Sequence, residues 1–98
     1  MVNVNKSDRF KAITDIMASV YRSKNADYGD SFGESFKDFG MLSSVIRIGD
    51  KYRRLKSLVM TGEQHVKDES LRDTLLDLAN YAIMTIIEMD MCDNNVVQ

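Results

Sequence analysis

The residues best suited to chemistry in this chain are carboxylates spaced one helical turn apart in its C-terminal third. Glu69, Asp73 and Asp77 are followed by Asn80, at spacings of four, four and three residues. At about 100° per residue, these positions lie along one side of an α-helix. Like charges at this spacing repel one another by a few tenths of a kcal/mol per pair. We therefore expect a cationic group to face these four residues, which we call the acidic row.

A second set of charged residues lies closer to the N-terminus, again at helical spacing. This basic row consists of three cations with one carboxylate among them: Arg47, Lys51, Arg54 and Asp50. The residues alone leave two interpretations open. The basic row is either a solvated helix face with ion pairs inside the helix, or it faces the acidic row, with or without a phosphorylated ligand between them.

Hydrophobic periodicity predicts the helices that carry both rows. Apolar residues recur three and four positions apart in three segments, which run from Ser7 to about Lys24, from about Met41 to Met60 and from Lys67 to Met91. We expect Ser7 to be the N-cap of the first helix and Asn25 to follow its end in the left-handed conformation. No segment alternates as a strand does, so the sequence predicts a small all-α bundle of three main helices, a single domain over residues 1–98.

The connector between the first two helices is rich in glycine and aromatic residues. Ser31 and Glu34 fit a capping box, which predicts a short helical turn interrupted at Gly40. This turn is expected to direct three phenylalanines inward: Phe32, Phe36 and Phe39. The glycines do not form a phosphate loop, because no Lys-Ser/Thr pair follows them and no strand precedes them. The alternative is a linker folded back by its aromatic residues.

Composition restricts the partners and the compartment. The net charge is −2 and the charges are mixed along the chain, so we expect no direct binding to nucleic acid. Cys92 is the one cysteine, and no signal sequence or apolar run long enough for a bilayer is present. These features predict a cytoplasmic protein without a membrane partner. His65 has no second histidine or cysteine at ligand spacing, which disfavours zinc.

The apolar arc of the last predicted helix is too wide for a single contact surface. It extends almost half way round the helix and comprises Leu71, Leu75, Leu76, Leu78, Ala79, Ala82, Ile83, Ile86, Ile87 and Met89. A bundle of three helices cannot cover both sides of one helix. We therefore expect a homo-oligomer, either a dimer or a dimer of dimers, that completes the core.

Three ordered blocks of the sequence carry a family resemblance. They are Lys24-Asn25-x-Asp27-Tyr28-Gly29, Arg47-Ile48-x-Asp50-Lys51-x-x-Arg54-Leu55, and Asp68-Glu69-Ser70-x-x-Asp73-Thr74-Leu75-Leu76-Asp77-Leu78-Ala79-Asn80-Tyr81-Ala82. Over roughly residues 20–88 the chain resembles the phage and bacterial nucleotide modification associated domain family of type one. That family is similar, more remotely, to the all-α nucleotide pyrophosphohydrolases typified by MazG and the dimeric dUTPases.

The resemblance implies hydrolysis of a canonical or modified nucleoside triphosphate to monophosphate and pyrophosphate, with Mg²⁺ or alternatively Mn²⁺ as the metal. The implied metal ligands are four carboxylates: Asp50, Glu69, Asp73 and Asp77. The last three of these are also the implied catalytic residues. The implied phosphate ligands are the cations Arg47, Lys51 and Arg54. Base and sugar recognition is implied for five further residues: Lys24, Asn25, Asp27, Tyr28 and Asn80. If the chain is phage-encoded, the compartment is the host cytoplasm.

The sequence also departs from the MazG pattern. That pattern has EExxE on one helix and ExxD on the next, whereas the second helix here offers only Asp50 and carries Lys51 and Arg54 instead of glutamates. The change moves the site towards phosphate binding by cations. Two alternatives to the enzyme therefore stay open. The first is a protein that binds a nucleotide or nucleotide signal without cleaving it. The second is a structural or regulatory protein in which the two rows form an interhelical salt-bridge network and a protein partner carries the function.

Overall fold

The computed structural model describes residues 5–61 and 67–93, with the side chains of Tyr28, Lys67, Asp68 and Glu69 excepted. Of the described residues, 94% are helical and none is in a strand, which confirms the all-α prediction. The helices are α1 Lys6–Tyr28, α2 Ser31–Phe39, α3 Met41–Thr61 and α4 Lys67–Cys92. No helix in these ranges is long and apolar enough to cross a membrane.

The chain divides into two compact units, Met1–Ser31 and Phe32–Gln98. The first unit contains α1. The second contains nearly all of α2 together with α3 and α4. Whether residues 1–98 behave as a single domain stays a prediction.

Both ends of α1 differ from the sequence-based expectation. The N-cap is Asn5, whose side-chain oxygen accepts hydrogen bonds from the backbone N–H groups of Ser7 and Asp8 at 2.9 and 3.2 Å, so the assignment of Ser7 was wrong. The predicted end near Lys24 was also wrong. The helix continues to Gly29, which has φ 76° and donates its backbone N–H to the carbonyl of Asn25 at 2.9 Å. Glycine adopts this left-handed conformation without the steric cost that asparagine would incur.

The connector after α1 is more helical than expected. The predicted turn beginning at Ser31 is present and forms the nine-residue helix α2. Phe32 and Phe36 are buried, as predicted, whereas Phe39 is 70% exposed and the prediction for it was wrong. Gly40, with φ 68°, separates α2 from α3 as expected.

Helices α3 and α4 pack against each other. The buried residues that they contribute are small: Ser44, Thr74 and Thr85. The two threonine hydroxyls donate to the carbonyl oxygens of Ser70 and Tyr81 one turn earlier, each at 2.7 Å. This arrangement satisfies the threonines inside their own helix, and their small side chains allow the two backbones to approach closely.

Many apolar residues on α3 and α4 stay exposed within the chain. The periodicity predicts an apolar seam on α3, which comprises Leu42, Val45, Ile48, Tyr52, Leu55 and Val59. Of these, Ile48 and Leu55 are half-buried. The other four residues of this α3 set are exposed: Leu42, Val45, Tyr52 and Val59. Five residues of the α4 arc are exposed as well: Leu75, Ile83, Ile86, Ile87 and Met89. These exposed side chains are available for a contact outside the chain.

Candidate functional site

The two charged rows meet between α3 and α4. Lys51 Nζ lies 3.0 Å from Asp77 Oδ2, so the basic row faces the acidic row at this point, as one of the two sequence interpretations proposed. The side chain of Lys51 is 27% exposed and that of Asp77 is 49% exposed. The pair therefore lies at the edge of the helix pair, where solvent screens the attraction and a ligand has access.

Arg54, one turn beyond Lys51, is exposed. It forms no ion pair with any residue in the described ranges. Asp73, one turn before Asp77, is also exposed and likewise has no ion pair with a described residue. One cation and one carboxylate thus remain available on neighbouring turns beside the Lys51–Asp77 pair.

Asp50 has a partner on its own helix. Arg53 Nη2 donates to Asp50 Oδ1 at 3.3 Å, and both side chains are 68% exposed. The sequence interpretation did not single out Arg53, although its i, i+3 spacing from Asp50 is that of an intrahelical ion pair. Asp50 therefore follows the other interpretation of the basic row, a solvated face with pairs inside the helix.

Arg47 is engaged differently from the other cations of the basic row. Its guanidinium carbon lies 5.4 Å from the ring centroid of Phe32 and 5.9 Å from that of Tyr81. The two rings stack with centroids 5.9 Å apart and an interplanar angle of 16°. Arg47 Nη2 also donates to Ser35 Oγ at 3.2 Å. One arginine of α3 therefore binds both α2 and α4.

Sequence reasoning missed this aromatic cluster of Phe32, Tyr81 and Arg47. It placed Phe32 in the core and Arg47 among the phosphate ligands, and it gave Tyr81 no role. Tyr81 follows Asn80 on α4, and Asn80 is half-buried. The cluster thus brings Arg47 of the basic row against Tyr81, the α4 residue that follows Asn80.

The remaining predicted recognition residues lie on α1 in the first unit. Lys24, Asn25 and Asp27 are exposed, and the side chain of Tyr28 is not among those described. The predicted helix end near Lys24 left Asn25, Asp27 and Tyr28 outside the helix, which was wrong because α1 continues through all four residues. The structure describes this unit by itself, so their participation in a site on α3 and α4 stays a prediction.

The described carboxylates do not by themselves form a metal cage. No group of three or more His, Cys, Asp or Glu side chains at metal-binding distances occurs in the ranges that the structure covers. Asp77 is paired with Lys51 and Asp50 with Arg53, whereas Mg²⁺ prefers an octahedral set of oxygen ligands. The side chain of Glu69 lies outside the described residues, so the four-carboxylate Mg²⁺ or Mn²⁺ site stays a prediction.

These observations define a class of protein: a small all-α protein in which a helix pair carries facing basic and acidic rows beside a cation–π cluster. The family called nucleotide modification associated domain 1 matches residues 24–89, and the chain belongs to that family. The match includes every residue that the sequence interpretation assigned to the site. No curated protein and no solved structure matches the chain.

Proposed function

We propose that this protein binds a nucleotide through its phosphates at the edge of the α3–α4 pair. Arg54 carries the proposal, because it is exposed, forms no ion pair with a described residue and lies one turn from Lys51. An exposed cation that is not paired with a described carboxylate is accessible to an anionic ligand. Family membership supports a nucleotide as that anion.

The phosphate competes with Asp77 for Lys51. Their ion pair at 3.0 Å is exposed on the Asp77 side, so exchanging the carboxylate for a phosphate costs little desolvation. Arg54 then adds a second cation one turn away, with the planar donor geometry that suits phosphate oxygens. Asn80 offers an amide group for recognition of the base or sugar, and the roles that the resemblance implies for Lys24, Asn25, Asp27 and Tyr28 stay a prediction.

The decisive comparison is Arg54→Ala against Arg53→Ala. Both remove one cation from the same helix, but Arg53 is paired with Asp50 and Arg54 has no described partner. Arg54→Ala should lower nucleotide affinity by about tenfold to a hundredfold, since a charge-assisted contact contributes about 1.5–3 kcal/mol. Arg53→Ala should change it much less. Equal effects of the two variants, measured by calorimetry with triphosphates, would mean that only net charge matters and would refute the site.

Hydrolysis of the bound triphosphate to monophosphate and pyrophosphate is a second candidate. Asp73 supports it, because this carboxylate is exposed, has no ion pair with a described residue and lies one turn from Asp77. A metal bound by Asp50, Glu69, Asp73 and Asp77 would neutralise phosphate charge and activate water. The described carboxylates form no such cage in this arrangement.

Asp77→Asn distinguishes binding from hydrolysis. If the site only binds, removing a carboxylate beside Lys51 eliminates repulsion of the phosphate, and affinity should rise. If it hydrolyses, the loss of a ligand should abolish metal-dependent pyrophosphate release. The assay uses a panel of canonical and modified nucleoside triphosphates with Mg²⁺ or Mn²⁺, and it follows pyrophosphate and thermal shift together. Silence in both readouts favours the structural alternative.

Asp73→Asn tests the metal directly. The variant should abolish any stabilisation by Mg²⁺ or Mn²⁺, because it removes the carboxylate most available to a cation, and hard oxygen ligands favour these ions over Zn²⁺. Thermal unfolding with and without each ion, in the absence of nucleotide, provides the measurement. If Asp73→Asn and Asp77→Asn both keep the wild-type Mg²⁺ response, these carboxylates serve the basic row rather than a metal.

A further inference from the structure

A regular seam runs along α4 on the side opposite the contact with α3. The residues that mark the α3 side are Thr74, Asp77, Tyr81 and Thr85, which are buried or contact α3 directly. At 100° per residue, a set of positions spaced by four, three, four, three and four residues lies on the other side. We call this set the α4 seam: Arg72, Leu76, Ala79, Ile83, Ile86 and Asp90.

The α4 seam has the heptad spacing of a helix-packing surface, and the described residues of its own unit cover it only in part. Ile83 and Ile86 are 44% and 56% exposed. Leu76 and Ala79 are half-buried. Apolar residues alternately four and three positions apart keep one stripe in contact with a partner helix. The stripe therefore has the pattern of a surface that packs against another helix.

The order of residues along the α4 seam identifies that helix. A cation at one end, Arg72, is matched by an anion at the other, Asp90, and the apolar residues between them are symmetric in position. Two copies of α4 laid antiparallel about a twofold axis would pair Arg72 with Asp90 of the second copy. The same register pairs Leu76 with Ile86 and Ala79 with Ile83. We propose that α4 is a homodimer interface in this antiparallel register.

Apolar residues flank the α4 seam, and the charges at its ends agree with this register. Leu75 and Ile87, which are 48% and 39% exposed, border the seam on opposite edges and widen its apolar surface on both sides. Neither Arg72 nor Asp90 forms an ion pair with a residue in the ranges that the structure describes, and both are exposed. A twofold axis repeats each contact, so the charged pair forms twice, once at each end of a contact about 27 Å long.

The other exposed stripe in this unit lacks such symmetry. On α3 the residues at heptad spacing are Leu42, Val45, Gly49, Tyr52, Lys56 and Val59. Antiparallel self-pairing would place Lys56 opposite Val45, with no opposite charge to meet it. The complementary charges thus favour α4 over α3 as the surface for a second copy. The proposal is independent of the proposed nucleotide function, because the acidic row lies on a different side of α4.

Charge reversal tests the register. Arg72→Glu should weaken the dimer by about tenfold or more, because it faces Asp90 of the second copy with a like charge at both ends. Asp90→Arg should do the same. The double variant Arg72→Glu with Asp90→Arg should restore wild-type affinity, since it exchanges the two charges. Sedimentation equilibrium measures each dissociation constant. A wild-type monomer of 11.2 kDa at 100 μM, or failure of the double variant to recover, would overturn the proposal.

Two further measurements guard against misleading outcomes. Ile83→Glu should prevent dimerisation, whereas Met91→Glu, at an exposed position of α4 outside the seam, should not; equal effects would refute the surface. For the orientation, the Cys92→Ser background removes the native thiol. A mixture of Leu76→Cys and Ile86→Cys should then cross-link with a short bis-maleimide, and neither variant should cross-link with itself. Self-cross-linking of Leu76→Cys would indicate parallel helices and contradict the register.

Discussion

At the scale of single residues, Arg47 has contacts that separate it from Lys51 and Arg54. Its guanidinium lies over Phe32 and Tyr81 and donates to Ser35. A planar guanidinium can stack on rings and donate at its edge at the same time, which a lysine ammonium cannot do. Arg47 therefore positions α2 on the α3–α4 pair, and any phosphate contact that it makes is additional to that task.

We predict that Arg47→Lys lowers the free energy of unfolding by about 1–2 kcal/mol. The substitution keeps the charge but loses the stacked geometry and the bond to Ser35, which together are of this size. Urea denaturation measures the effect. Arg54→Lys is the matched control and should be nearly neutral, since Arg54 is exposed and makes no described ion pair. Equal behaviour of the two variants would show that the aromatic contacts contribute no stability.

The Lys51–Asp77 pair is expected to contribute little to stability. Because both side chains retain substantial solvent exposure, Lys51→Met should cost less than about 1 kcal/mol, the usual range for such pairs. A loss of 3–5 kcal/mol, as for a buried pair that loses one partner, would support the structural salt-bridge interpretation instead. Chemical denaturation without ligand, with Lys56→Met as the control for removing an exposed cation from the same helix, decides between them.

At the scale of helices, the glycines at the corners determine where the elements end. Gly40 has φ 68°, and its N–H donates to the carbonyl of Phe36 at 2.7 Å. This turn fixes the direction in which α2 presents Phe32 and Phe36 to the rest of the unit. An added Cβ at Gly40 meets no atom within 4 Å, so the glycine is required by conformation and not by space.

Gly40→Ala should therefore destabilise the protein by about 1–2 kcal/mol, the cost of a left-handed conformation for an L residue. Gly49→Ala is an informative control because Gly49 lies inside α3. There a Cβ would meet only the flexible end of Arg53, at 3.0 Å. Alanine has a higher helix propensity than glycine by about 1 kcal/mol, so Gly49→Ala should be as stable as the wild type or more stable. In a urea titration, Gly40→Ala should lower the free energy of unfolding and Gly49→Ala should not. Equal destabilisation by the two variants would refute the conformational explanation.

The sequence predicted the presence of the helices more accurately than the residues at which they end. One of its two interpretations placed the basic row opposite the acidic row, but the separate contacts of each cation were not predicted. Periodicity located α3 and α4 to within about one residue, because each has a continuous apolar face. The end of α1 was predicted too early because Asn25 and Gly29 are both residue types that suit the end of a helix. The helix ends at Gly29, and residue type alone does not favour this position over Asn25 strongly enough to predict it. The role of Arg47 was not predictable because it depends on where α2 packs, which no spacing within α3 encodes.

At the scale of the whole molecule, the described residues bury too few apolar side chains to account for the chain's apolar content. Among the described large hydrophobic residues, Phe32 and Phe36 are buried, while α3 and α4 leave many apolar side chains exposed. Burial of apolar surface contributes about 25 cal/mol per Å², and a domain is stable by only about 5–15 kcal/mol. The stability of this chain should consequently depend on what covers α4.

The proposed dimer makes thermal stability depend on protein concentration. If the native state is a dimer and the unfolded chain is monomeric, raising the concentration a hundredfold stabilises the folded form by about 2.7 kcal per mole of dimer by mass action. Because each dimer unfolds two chains, the melting temperature should then rise by about 5–10 °C between 1 and 100 μM. Ile83→Glu should melt at a lower temperature that does not change with concentration. A wild-type melting temperature that stays constant over this range would mean that the chain is stable alone and that its exposed apolar residues have another purpose.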